Sequence, residues 1–148
     1  MGRGLRARGL SRRYFTDRDL GKQFGEILKA GGLTVERHVD HFAPDTPDDV
    51  WLAEVGRRGW IALTHDKRIR YKPNERDAVI RHDVGLLVIV GAAPFAELAR
   101  AFVATLPAIE HFLDSHAPPF IAKVYRPSRG DTAERADALG WVELWYPR

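Results

Sequence analysis

Along most of this chain, short apolar runs alternate with segments in which apolar residues recur at helical spacing. This alternation limits the fold more than any other feature of the sequence. Strands separated by helices pair in parallel, and the helices then cover the two faces of the sheet. The most apolar run, residues 86–90, is expected to be a central strand, because such a strand is buried on both faces. The pattern predicts one α/β sandwich around a mostly parallel sheet. The expected strands are 14–16, 33–37, 60–64, 86–90, 120–125 and 141–145.

Helical spacing predicts four helices between these strands. Gly31 and Gly32 end the first helix, and Pro107 is expected to break or kink the last one. Residues 38–47 are expected to be irregular, and residues 67–74 are expected to form a basic loop. The expected helices are 20–30, 47–58, 75–82 and 94–115.

Composition narrows the class of protein. The chain has 148 residues, a formal net charge of +3 and 45% hydrophobic residues, which is typical of one globular domain. It has no cysteine, so disulfides, cysteine-ligated metal sites and thiol nucleophiles are excluded. No apolar run approaches the ~20 residues that are needed to cross a bilayer. The basic residues at the start are not followed by the apolar stretch that is typical of a signal peptide. We expect a cytoplasmic protein without a membrane segment, in which residues 1–12 are a basic, flexible arm and residues 13–148 are one domain.

Aspartates stand directly after two of the expected strands. Asp17 follows the first strand and Asp66 follows the third. Because ligands of open parallel sheets bind beyond the carboxyl ends of the strands, we expect these two side chains to meet at one edge. Asp48 and Asp49 begin the expected helix that leads into the third strand. They either join the cluster of acids or only stabilise the helix by interacting with the positive end of its dipole.

Carboxylates gathered at one place repel one another unless a cation lies between them. Oxygen ligands suit Mg²⁺ or Mn²⁺, and such a site hydrolyses phosphodiesters. The same crowding predicts that asparagine at position 17 or 66 stabilises the chain in metal-free buffer. We expect Asp17 and Asp66 to bind the metal directly. The candidate catalytic residues are Asp17, Asp48, Asp49 and Asp66, and the candidate metal ligands are Asp17, Asp66, Asp48, Glu75 and Asp19.

A basic segment follows Asp66. Lysine and arginine side chains bind the phosphates of a polyanion, and an aromatic ring between them stacks on a base; the alternative is a solvated loop. Glu75, after this segment, is a further acid or the start of the next helix. His38, His41 and His65 lack the spacing of a zinc motif and are expected on a surface loop. The candidate substrate-binding residues are Lys67, Arg68, Arg70 and Lys72.

The large aromatic side chains are expected to pack in the core or in an interface. Trp51 lies one turn after Asp48 on the expected helix, so its packing would determine where that carboxylate points. The residues concerned are Trp51, Trp60, Phe102, Phe112 and Trp141.

Three blocks of sequence share their order and spacing with a known family. They are Tyr-Phe-Thr-Asp-Arg-Asp-Leu-Gly at 14–21, Thr-Pro-Asp-Asp-Val-Trp-Leu at 46–52, and Gly-Trp-Ile-Ala-Leu-Thr-His-Asp-Lys-Arg-Ile-Arg at 59–70. These blocks resemble the PIN-like domains of VapC-type toxins in bacterial toxin–antitoxin systems. The resemblance covers residues 13–91, and the part from Pro94 onward carries no motif of the family.

The resemblance implies a PIN-like three-layer sandwich and a ribonuclease toxin that hydrolyses RNA phosphodiester bonds with Mg²⁺ or Mn²⁺. It also implies a cognate antitoxin protein that blocks the site and, commonly, a homodimer. On this basis residues 13–148 are expected to form a single PIN-like domain. The acid cluster of the family would correspond to Asp17, Asp48 or Asp49, and Asp66, with Glu75, Asp19 or Asp77 as the fourth acid.

Two other functions remain open from the sequence. A receiver-type phosphoacceptor domain also has acids after its first and third strands, and Lys123 matches its late lysine. However, residues 91–93 lack the expected Ser or Thr, and Val124 stands in place of the expected proline. A non-catalytic RNA-binding or interaction module with the same fold would keep the basic segment and would tolerate the loss of any one acid.

Overall fold

The computed structural model describes residues 12–126 and 140–147, except the side chain of Arg70. The expected arm at residues 1–12 therefore lies outside the described residues, apart from Arg12. None of the helices in these two ranges has the length and the apolar character needed to cross a bilayer.

Six strands form one sheet in the order β2-β1-β3-β4-β5-β6. The first five strands are parallel, and β6 is antiparallel to β5. Because the chain moves from β1 to one neighbour and later returns to its other side, the carboxyl ends of β1 and β3 form a topological switch point. The strands are β1 (Arg13–Thr16), β2 (Thr34–Arg37), β3 (Ile61–Thr64), β4 (Gly85–Val90), β5 (Phe120–Tyr125) and β6 (Trp141–Tyr146).

In the part of the chain that the structure describes, six α-helices lie between successive strands. Two single 3₁₀ turns, Arg18–Leu20 and Ile69–Tyr71, follow β1 and β3. The helices are α1 (Gly21–Ala30), α2 (His38–His41), α3 (Asp48–Arg58), α4 (Pro73–Arg81), α5 (Phe95–Ala104) and α6 (Leu106–Ser115).

Successive strand residues point to opposite faces of the sheet, and each face has its own apolar core. On one face α1, α5 and α6 cover the sheet, with Phe24 and Phe102 among the buried residues. On the other face α3 and α4 cover it, with Trp51 and Val79 buried. The predicted α/β sandwich is confirmed, and β4 lies between β3 and β5 as expected of a central strand.

The structure differs from the expected elements at two places, and it confirms the expected break in the last helix. Residues 38–41 form the helix α2 instead of an irregular segment. The break lies at Thr105, where α5 and α6 meet, and Pro107 is in the first turn of α6. The basic segment contains a turn whose Ile69 is completely buried, so it is anchored to the core and is not a freely solvated loop.

Four of the five large aromatics expected in the core or in an interface are buried in the core. Trp141 is the exception: it is 50% exposed and stacks on Tyr125. It lies on β6, which is an edge strand with a neighbour on one side only.

The packing of α3 against α4 depends on Gly56. A Cβ atom at this position would lie 2.1 Å from the carbonyl oxygen of His82. This distance is too short for two non-bonded atoms, so the backbone would have to move. We expect Gly56→Ala to lower the free energy of unfolding by about 1–3 kcal/mol, although alanine favours helix formation. Urea unfolding of the two proteins measures the difference.

Gly25 in α1 is a matched control. A Cβ atom there would meet the side chains of Arg37 and Val35 at 3.5 to 3.7 Å, which are ordinary van der Waals distances. Gly25→Ala should therefore raise the free energy of unfolding by about 0.5–1 kcal/mol. Equal effects of the two substitutions would contradict a close helix contact at Gly56.

Candidate active site

Asp17 is held at the carboxyl end of β1 by hydrogen bonds to its backbone and its side chain. Its amide N–H donates to the Leu63 carbonyl oxygen at 2.9 Å, which joins the ends of β1 and β3. Its Oδ1 accepts from the Arg18 amide at 2.7 Å and thereby caps the 3₁₀ turn. Its Oδ2 accepts from the Thr64 hydroxyl at 2.8 Å. The carboxylate therefore has a defined orientation at the switch point.

The Thr64 hydroxyl lies between two carboxylates. Thr64 is completely buried, and its Oγ1 is 2.8 Å from Oδ2 of Asp17 and 3.3 Å from Oδ2 of Asp19. The hydroxyl has one proton and can donate it to only one carboxylate at a time. Asp19 also accepts from the His65 amide at 3.1 Å. Asp17 and Asp19 are thus brought side by side with fewer donors than two ionised carboxylates require.

The pKa values of Asp17 and Asp19 are both raised. Burial, and then the neighbouring charges of Asp19 and Asp48, raise the pKa of Asp17 to about 7 against the hydrogen bonds from Thr64 and Arg18. Burial also raises the pKa of Asp19, again against hydrogen bonds from His65 and Thr64. Near neutral pH the pair therefore resists carrying two negative charges.

Asp48 enters the site from the start of α3. The indole Nε1–H of Trp51 donates to its Oδ1 at 2.9 Å, and Trp51 itself is completely buried and stacked on Phe15. This contact is the orienting role expected for Trp51. Asp49 is exposed, because successive residues of a helix point about 100° apart. Of the two candidates at this helix start, the structure brings Asp48 to the cluster.

Asp66 has a different environment from the other acids. Its Oδ1 accepts from the amide and the Nε of Arg68, at 2.9 and 3.3 Å, and its Oδ2 accepts from Nζ of Lys72 at 2.7 Å. Burial alone would raise the pKa of Asp66, but the Lys72 ion pair and the Arg68 hydrogen bonds hold it below its ordinary value. The expectation that asparagine relieves repulsion at position 66 is therefore wrong, since this carboxylate already has a counter-charge.

One open cavity of about 590 Å³ collects these groups. Four of the predicted acids and two of the predicted basic residues line it. Asp49 and Glu75 do not line the cavity. Glu75 lies in the first turn of α4, where its negative charge interacts favourably with the helix dipole. The side chain of Arg70 lies outside the described residues. The lining residues are Asp17, Arg18, Asp19, His38, Pro44, Thr46, Asp48, His65, Asp66, Lys67 and Arg68.

The three histidines do not share one environment. His38 is 2% exposed and packs against Phe42, so the surface expectation is wrong for it. Burial, and then the charge of Arg18, lower the pKa of His38, which favours the neutral ring. His65 lines the cavity, and its Nε2 is 2.8 Å from the Gly91 carbonyl oxygen. His41 is exposed and pairs with Glu36, as expected of a surface histidine.

The donor set suits a hard divalent cation without forming a complete cage. In residues 12–126 and 140–147, no three Asp, Glu or His side chains are arranged so that they alone could hold a metal ion. Mg²⁺, however, is often bound through one or two carboxylates, with water and substrate phosphate as the other ligands. Asp17 and Asp19 are two such carboxylates, held close together by the Thr64 hydroxyl and the His65 amide, and they are the residues that could hold such an ion.

Two residues of the site were not recognised in these roles from the sequence. Thr64 carries a signal: a threonine at the end of an otherwise apolar buried strand needs a hydrogen-bond partner. Lys72 was expected to bind phosphate, and its ion pair with Asp66 depends on how the intervening 3₁₀ turn folds back.

The chain matches a known family over more than half of its length. The family described as PIN like domain matches residues 13–91, which include Asp17, Asp48 and Asp66. No curated protein and no solved structure matches the chain.

The raised pKa of Asp17 predicts a pH-dependent stability difference. In the folded state the pKa is about 7, against 3.8 for the free side chain, so ionisation of Asp17 costs stability as the pH rises through that window. In buffer with chelator, Asp17→Asn should be more stable than the parent by about 1–2 kcal/mol at pH 8, and the gain should vanish near pH 4. Urea unfolding across this pH range measures the difference.

Asp66→Asn is the matched comparison. Because its folded pKa is lowered, Asp66 contributes stability above its ordinary pKa, and this contribution is lost in acid. Asp66→Asn should therefore be less stable than the parent at pH 8. A loss of stability in both variants at pH 8 would contradict the crowding of Asp17.

Proposed function

This chain belongs to the PIN-like domain family, and we propose that it is a metal-dependent endoribonuclease whose active site is the acidic cavity at the ends of β1 and β3. PIN domains are generally nucleases. The observation that carries the narrower proposal is the placement of Asp17 and Asp19 around the buried Thr64 hydroxyl, with Asp48 beside them. A role as the toxin of a toxin–antitoxin pair, with an antitoxin partner and a homodimer, is proposed from the resemblance to VapC-type toxins.

The charges around the cavity suit a phosphodiester substrate. The cations Arg18, Lys67 and Arg68 line the cavity together with the acidic residues. The side chain of Arg68 is 79% exposed, although its Nε reaches Asp66, so most of its guanidinium faces solvent. Such cations bind the backbone phosphates without reading the base sequence.

The residues have distinct roles in the proposed reaction. Asp17 and Asp19 hold the divalent ion. When bound, Mg²⁺ or Mn²⁺ supplies positive charge that polarises the phosphate and lowers the pKa of water. Asp48, oriented by Trp51, accepts a hydrogen bond from the attacking water. Lys67 and Arg68 hold the phosphate of the substrate in the cavity.

A second candidate is a PIN-like module that binds RNA without cutting it. It is favoured by one observation: both oxygens of Asp66 accept hydrogen bonds from protein groups. The two candidates share the cation-lined cavity and differ in whether the acids perform chemistry. The receiver-type alternative has no support from the family match.

Cleavage of labelled single-stranded RNA tests the proposal. The protein should cut RNA with Mg²⁺ or Mn²⁺ and should be inactive with EDTA. Asp17→Asn and Asp48→Asn should each lower the cleavage rate by about 100-fold or more, because each removes a charge from the reacting centre. Asp49→Asn is the matched control, since Asp49 lies outside the cavity, and it should keep the parent rate.

Three outcomes would contradict the proposal. Cutting in EDTA would exclude metal dependence, and unchanged cleavage by Asp17→Asn would exclude this site. RNA binding without any cutting in either metal would favour the non-catalytic module. A DNA strand of the same sequence tests whether the substrate is RNA.

Lys67 tests the proposed phosphate contact. Lys67→Gln should weaken RNA binding to a similar extent for unrelated sequences and should reduce the slope of log K against log salt by about 1. Fluorescence anisotropy at several salt concentrations measures both quantities. Arg100→Gln, which removes an exposed cation from α5 outside the cavity, should change neither. An effect confined to one RNA sequence would contradict a phosphate role for Lys67.

A further inference from the structure

Lys72 is held in place before any ligand arrives. Its amide N–H donates to the Ile69 carbonyl oxygen at 3.3 Å, and its own carbonyl oxygen accepts from the Arg76 amide at 2.9 Å. Ile69 is completely buried, so the turn that carries Lys72 is fixed to the core. The side chain is one-third exposed and ends 2.7 Å from Oδ2 of Asp66. Lys72 is therefore a preorganised cation at this carboxylate.

The acids of the cavity fall into two electrostatic halves. The hydrogen bonds to Asp17 and Asp19 come from the Thr64 hydroxyl and from backbone amides, which are all neutral. Asp66 instead accepts from two charged side chains, Nζ of Lys72 at 2.7 Å and Nε of Arg68 at 3.3 Å. Among these contacts, a charged donor reaches the carboxylate of Asp66 and does not reach those of Asp17 and Asp19.

A metal ion that approached Asp66 would meet two obstacles. Both carboxylate oxygens already accept hydrogen bonds at 2.7 to 2.9 Å from fixed donors. The ammonium group would also repel a divalent ion bound to the same carboxylate. Both oxygens of Asp17 also accept hydrogen bonds, at 2.7 and 2.8 Å, but the donors to Asp17 and Asp19 are neutral hydroxyl and amide groups. The repulsion by an ammonium group is therefore the obstacle that distinguishes Asp66 from this pair.

We propose that Lys72 is a built-in counter-ion which takes the place of a second divalent cation at Asp66, so that the site binds one divalent ion, at Asp17 and Asp19. This inference rests on the proposed metal dependence and adds to it the number of ions and the acids that hold them. It also changes the role of two residues: Asp66 is a partner of Lys72, and Lys72 is a charge-balancing residue of the site.

Calorimetric titration of the chelator-treated, RNA-free protein with Mn²⁺ tests the number of ions. The parent should bind one ion. Lys72→Met should gain a second, and Lys72→Arg should keep one because it retains the charge. The double variant Asp66→Asn/Lys72→Met should return to one ion, since the new site needs the carboxylate. Lys29→Met removes an exposed cation from α1 and should also keep one ion.

A second pair of variants tests the same inference without changing Lys72. Asp66→Asn should leave the Mn²⁺ dissociation constant within about threefold of the parent, because Asp66 is not a ligand. Asp19→Asn should raise it at least tenfold. If Lys72→Met does not fold, as judged by circular dichroism, this pair decides the question.

The outcomes separate this inference from the proposed function. Two ions in the parent, one ion in both the parent and Lys72→Met, or a tenfold loss of affinity in Asp66→Asn would overturn the inference and retain metal dependence. No ion in the parent and one in Lys72→Met would overturn the proposed metal dependence and retain the counter-ion role of Lys72. No ion in either protein would overturn both.

Discussion

The hydrogen bond from the buried Thr64 hydroxyl to Asp17 is the contact on which the site depends. It links the last residue of β3 to the first residue after β1, at the switch point of the sheet, and it leaves Asp19 in reach of the same proton. The strands that end here are packed between the apolar cores on the two faces of the sheet. The fold thus places carboxylates where a cation lowers their energy.

The acids of the site differ in whether a charged side chain of the protein is paired with them. Asp66 is neutralised by Lys72 and Arg68, whereas Asp17 and Asp19 have only neutral donors. If all acids of a site were paired with lysine or arginine, a metal ion would gain little by binding there. If none were paired, the repulsion between them would cost a large share of the small free energy of unfolding of a domain. The proposed nuclease site lies between these extremes, because Asp66 has charged partners and the pair Asp17 and Asp19 is where we propose that a cation binds.

The sequence predicted the sheet and the location of the acids because both follow from local patterns. Apolar runs mark the strands, and residues directly after parallel strands meet at one edge. It did not predict that Asp48 enters the cavity and Asp49 does not, or that His38 is buried, because these depend on the phase of short helices. The ion pair of Asp66 depends on a buried isoleucine that folds the basic segment back, a long-range effect without a sequence signal.

The central claim is that Asp17 lies in an acidic pair that lacks a counter-charge until a divalent ion binds. A ¹³C NMR titration of the aspartate carboxyl groups, with and without saturating Mg²⁺, tests it directly. In chelator-treated protein the Asp17 carboxyl should titrate at about 7, and Mg²⁺ should lower that pKa to well below its ordinary value. Titration of Asp17 near 3.8 under both conditions would contradict the account.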